Sequence, residues 1–232
     1  MKSGKQIHAK AGHLREEGDF IESLKLIIEA IQAYSEEKDY VGLIDAEGDA
    51  SLSLRHLYKK TNDISYLILA EGFANAAVET CKGKNIKSDI SRAFFNLAKV
   101  IEEMGGYPQA VKKYKQAVAF FERYNSTLHN RSGVLADMKI HLATAQYRAG
   151  NKLALGDALI AMSDLENSDE KDISKYNYDV WLSGANMKLA EILKTDDIEL
   201  AKKHLDQARK IIDANPELKI RKEQWEELSK SF

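Results

Sequence analysis

"MGGYPQAVKKYKQAVAFF", residues 104–121, sets two glycines and a Tyr-Pro ahead of Ala110, Tyr114 and Ala117, at spacings of four and three. Those spacings place the three side chains on one face of an α-helix. Glycine before them supplies a turn conformation that other residues resist. Pro108 fits the first turn of the helix, where an N–H has no intrahelical partner to lose. The alanines mark where a neighbouring helix comes close, and Tyr107 and Tyr114 fill the space beside them. Ala98, upstream of the turn, is expected to face Ala110 from that neighbour.

The pattern recurs. In "REEGDFIESLKLIIEAI" (15–31), Gly18, Phe20, Ser23 and Ala30 each precede Gly105, Tyr107, Ala110 and Ala117 by 87 residues, as Ala11 and Leu14 precede Ala98 and Ile101. Asn62-Asp63-Ile64 lies 44 beyond Gly18-Asp19-Phe20, and Ala143 and Gly150 lie 45 beyond Ala98 and Gly105. Ala201, Leu205 and Ala208 lie 91 beyond Ala110, Tyr114 and Ala117. Five units spaced 43 to 46 residues result, roughly 4–37, 40–82, 86–124, 131–167 and 173–215. Each reads as two helices about a tight turn. Asp19, Asn62-Asp63, Asn151 and Asp196-Asp197 are the N-cap candidates of the second helices. The second and fourth units are degenerate: Glu71 falls where Ile27 and Tyr114 stand, and Gly156 is the candidate small residue one position late. The polar stretches 124–133, a candidate hinge, and 166–177 are the main connections. A last helix, 217–230, carries Leu218, Trp225, Leu228 and Phe232 on one stripe; it either covers the edge of the fifth unit or makes a dimer.

Of 232 residues, 44% are hydrophobic and 30% charged, with only two prolines. Abundant Ala, Leu, Lys and Glu favour helices. The 34 basic and 36 acidic side chains give a net charge of −2, and neither half is a basic arm. General nucleic-acid binding therefore has no electrostatic support. The single cysteine, Cys81, excludes an internal disulfide. The N-terminus lacks the apolar run of a secretory signal, and no stretch approaches the ~20 apolar residues of a membrane span. A cytoplasmic protein without membrane attachment is expected.

These residues resemble the tetratricopeptide repeat: a small residue in helix A, a glycine then an aromatic at the turn, and Ala-x3-aromatic-x2-Ala in helix B. The third unit matches best, through Phe94, Leu97, Ala98, Ile101, Gly105, Tyr107, Ala110, Tyr114 and Ala117. The period exceeds the usual ~34 residues, as in longer-helix families such as kinesin light chains and the soluble NSF attachment proteins; HEAT repeats, with periods of ~40–47, are the rival. The resemblance implies a single all-α domain over residues 1–232, a right-handed α-solenoid of about five tetratricopeptide-like helix pairs plus a C-terminal capping helix.

No phosphate loop, GxSxG or HExxH occurs. His8 and His13 are five apart, His56, His129, His141 and His204 are scattered, and Cys81 continues the apolar face of Ala74, Ala77 and Val78. Catalysis, a cofactor and a metal are not expected. The resemblance implies that A helices line a concave groove. Transferring its register yields Lys5, His8, Arg15, His56, Lys59, Lys60, Arg92, Phe95, Lys99, Tyr147, Arg148 and Asn186 as partner-binding candidates. The excess of bases in the first three units suits a protein or peptide with an acidic segment; ordinary solvated helix surface is the competing reading. The set lacks the Lys/Asn arrangement of tetratricopeptide domains that grip chaperone tails. A non-catalytic, monomeric scaffold or adaptor is expected, with a regulatory sensor that changes shape on binding a peptide or small ligand as the alternative.

Overall fold

A computed structural model describes residues 3–124 and 131–232. The chain expected as one domain divides into two compact units, Met1–Ser126 and Thr127–Phe232. The first contains α1 (Gly4–Glu16), α2 (Phe20–Glu37), α3 (Tyr40–Thr61), α4 (Ser65–Gly83), α5 (Ile90–Glu103) and α6 (Tyr107–Arg123). The second contains α7 (Ser132–Arg148), α8 (Ala154–Glu166), the short α9 (Glu170–Ile173), α10 (Lys175–Leu193), α11 (Ile198–Ala214) and α12 (Lys219–Ser229). The described residues form helices and no strands. Consecutive helices pack as pairs: α1 with α2, α3 with α4, α5 with α6, α7 with α8, α10 with α11. Much of the expected hinge, 124–133, lies outside the described residues, as does His129.

One buried stripe repeats in every second helix of a pair. It is Ser23/Ile27/Ala30/Tyr34 in α2, Ala70/Ala74/Ala77/Cys81 in α4, Ala110/Tyr114/Ala117/Phe121 in α6, Ala154/Ala158/Ala161/Leu165 in α8 and Ala201/Leu205/Ala208/Ile212 in α11. Small residues here let backbones approach. Ser23 Oγ donates to Ala11 O at 2.8 Å across α1 and α2, and Ser91 Oγ donates to Ala117 O at 2.7 Å across α5 and α6. The turns use the expected glycines, with φ of 86° at Gly18, 82° at Gly105 and 101° at Gly150; Asn62 stands at the matching point at 56°.

Three local expectations are corrected. Asn62 closes α3 rather than capping α4, whose N-cap is Ile64, while Asp63 accepts from Ser65 N at 2.9 Å. The α4 stripe therefore lies 47 residues beyond that of α2 and passes Glu71 by. Asn151 does not cap α8, whose N-cap is Leu153. Gly156 is exposed, and Ala154 and Ala158 are the small packing residues, because the buried stripe of α8 follows Gly150 by four residues where that of α6 follows Gly105 by five. Asp19 and Asp197 are N-caps, accepting from Glu22 N and Leu200 N. At the C-terminus α12 packs on α10 and α11: Trp225 Nε1 donates to Leu205 O at 2.9 Å, Arg221 Nε to Val180 O at 3.1 Å, and Leu218 is buried. The terminal helix thus lies over the last helix pair.

Candidate functional site

In the first unit, side chains of α1, α3 and α5 meet in a row of cross-helix ion pairs. Asp49 of α3 takes His8 Nε2 at 3.2 Å and Arg15 Nη1 at 2.6 Å from α1. Burial works against this carboxylate, yet His8 and Arg15 hold its pKa below the usual range. Asp45, one turn earlier on α3, pairs with Arg92 of α5, which also meets Asp89 at 3.2 Å. Further along, Arg55 holds Glu103 with Nε and Nη2 at 2.9 and 2.7 Å, and Lys59 Nζ joins at 3.1 Å. Burial opposes the Glu103 charge, but Arg55 and Lys59 bring its pKa down to about 2.

Helical spacing explains part of this row: Asp45 and Asp49, and likewise Arg55 and Lys59, stand four residues apart, about one turn of α3, while the six residues from Asp49 to Arg55 carry the row from the side of α1 to the side of α5. The sequence suggested the bases but not their occupation. Arg15, Lys59 and Arg92 each meet an acid in the same layer, so this face is mixed in charge rather than basic. Lys60 lies over Phe20 at 4.8 Å and Lys99 over Phe95 at 4.0 Å, contacts that hold an ammonium over a ring face. His56 stacks on Phe20 with centroids 4.8 Å apart. Lys5 is exposed near the start of α1. Phe95 is 6% exposed and packs against Tyr114, so it is corrected from groove contact to core.

The second unit repeats the device. Arg148 of α7 pairs with Glu191 of α10, and the Tyr147 hydroxyl donates to Asp196, which Lys152 also meets. Asn186 is 1% exposed: its amide donates to Leu182 O at 3.0 Å and its oxygen lies 2.9 Å from His204 Nδ1. It too is corrected from the groove to the interior. An ion pair unseen in the sequence joins Arg131 to the buried Glu170 at 3.0 Å, where the 166–177 connection folds into α9.

Among the described residues, no three His, Cys, Asp or Glu side chains gather to hold a metal ion, and no helix is long and apolar enough to cross a membrane. Burial, with Asp89 and Glu47, pushes the Cys81 thiol up to about 12, far from a nucleophile at neutral pH.

Paired helices, turn glycines and alanine stripes define a tetratricopeptide-like helical-repeat protein, and solved structures agree. BtubC (BKLC) from P. vanneervenii superposes with a TM-score of 0.58 at 20% identity, over 90% of this chain and 80% of that one. A putative kinesin light chain of Podosopora anserina with nearly identical TPR-like repeats gives 0.53 at 15% identity, over 91% and 97%. Rap protein complexed with Competence and Sporulation Factor gives 0.60 at 14% identity, over 98% of this chain and 64% of that one. No family model and no curated protein matches the sequence.

Proposed function

We propose that this protein is a non-catalytic binding scaffold or adaptor that takes a protein or peptide segment along the face formed by α1, α3 and α5. The observation that carries the reading is the row of half-exposed charges from three successive A helices, each fixed by a cross-helix pair. Fixed polar groups on rigid helices lose little entropy when a segment docks. The structural neighbour Rap, solved with Competence and Sporulation Factor, supports a binding role for this architecture. An acidic segment must compete with Asp45, Asp49 and Glu103 for Arg92, Arg15, Arg55 and Lys59, while Lys5, Lys60 and Lys99 add positive charge from the same three helices.

The test uses a partner captured by the purified chain and a paired variant set. Lys60→Glu with Lys99→Glu should weaken the captured partner ~10-fold or more, about 1.4 kcal/mol, with helicity unchanged by circular dichroism. Lys112→Glu with Lys113→Glu on α6 is the control and should bind as the parent does. Equal affinity of both double variants in titration calorimetry would remove this face from the function.

A further inference from the structure

Among the described residues, the buried carboxylates other than Glu47 each face a cation or a hydroxyl, although both Glu170 oxygens also lack a hydrogen-bond partner. Glu103 has Arg55 and Lys59, Glu170 has Arg131, Asp179 has Lys175 and Asn215, and Glu102 accepts the Tyr114 hydroxyl at 2.6 Å. Glu47, in the middle of α3, is 8% exposed. Its Oε1 accepts only a long bond, 3.4 Å, from Thr80 Oγ1 of α4, and its Oε2 is buried with no hydrogen-bond partner. The titratable groups whose charges meet here are acids: the Cys81 thiol of α4 feels both Glu47 and Asp89, which precedes α5. The neighbouring charges on α3 itself, Asp45 and Asp49, point to other helices and are closed on Arg92 and on His8 and Arg15.

An ionised carboxylate without a cation or donors is costly in such a place, whereas the neutral acid is tolerated. We propose that Glu47 is a proton-operated latch: neutral, it lets α3 seat fully on α4, and ionised, it loosens that pair. Burial accordingly pushes its pKa up to about 7, which the Thr80 hydroxyl only partly offsets. A raised carboxyl pKa means stability present at low pH that declines as pH rises from the unfolded value of 4.5 through the folded one. The latch is independent of any partner, so it stands or falls apart from the proposed function.

Urea unfolding of the full chain and of Glu47→Gln between pH 5.5 and 8 tests it. The parent should lose stability across this range, with its unfolding constant rising ~10-fold or more, the equivalent of one pKa unit. The glutamine variant, which keeps an oxygen for Thr80 and cannot ionise, should show a flatter profile and exceed the parent at pH 8. Parallel profiles overturn the proposal. A second reading avoids the variant: the Glu47 side-chain carboxyl carbon, followed by NMR in the native parent, should titrate between pH 6 and 8. Titration at or below pH 4.5 overturns the latch outright.

Discussion

On the side of α3 that meets α5, Arg55 and Lys59 close on Glu103 and Arg92 closes on Asp45. On the side that meets α4, Glu47 is buried against a threonine and a thiol. The acids on the two sides of α3 thus titrate in opposite directions, Glu103 of α5 down to about 2 and Glu47 of α3 itself up to about 7. The difference teaches that burial alone does not set a carboxyl's fate. The geometry of the nearest cation does, because attraction at 2.7 Å outweighs a desolvation penalty that otherwise wins.

The comparison breaks most severely at Arg55. Arg55→Leu leaves Glu103 buried with Lys59 alone and should cost ~3–5 kcal/mol, read as a lower midpoint in urea, while Glu47 still titrates as before. Acid is the next lever. The depressed pKa of Glu103 gives stability that is complete above pH 4.5 and lost as pH falls toward 2. Glu103→Gln should flatten that acid limb, by roughly 2 kcal/mol between pH 5 and 2, in denaturation followed by circular dichroism. Packing comes third. Ala110→Trp should overpack the α5 and α6 contact and cost ~1–3 kcal/mol; a thermal midpoint equal to that of the parent would show that the stripe does not face its partner helix. The smallest effect is chemical. Cys81 is buried with its thiol held near 12, so native protein at pH 8 should resist iodoacetamide and react fully once unfolded, as mass spectrometry would record.

The pair formed by α5 and α6 was legible because its signals are local. Gly105, Pro108 and the alanines sit within one turn and one helix, and each acts through its own backbone or bulk. The same holds for Asp19, Asp197 and the Trp225 stripe of α12. The pair of α3 and α4 was less legible. Its turn marker, Asn62, is in place, but Leu67 follows it by five residues where Phe20 follows Gly18 by two, so an alignment anchored on the turn misplaces α4. The candidate face was half legible. A sequence shows that Arg15, Lys59 and Arg92 lie on A helices, yet their partners Asp49, Glu103 and Asp45 are more than thirty residues away, and pairing depends on helix separation in space. Phe95 and Asn186 were misplaced for a related reason: an A helix is flanked by neighbours on more than one side, so less of it reaches water than a two-helix picture implies.

The buried stripe of the second helices steps along the chain by 47, 40, 44 and 47 residues, from Ser23 to Ala70, Ala110, Ala154 and Ala201. These steps differ by three, four or seven, the numbers that complete about one or two turns of an α-helix. Length in this chain therefore behaves as a quantised variable. Two residues added within a helix would rotate everything after them by roughly 200° and turn the alanines outward, whereas a whole turn returns them to the same bearing. That step applies inside a helix, whereas the connections between helices take up single residues, as where the stripe follows Gly105 by five residues and Gly150 by four.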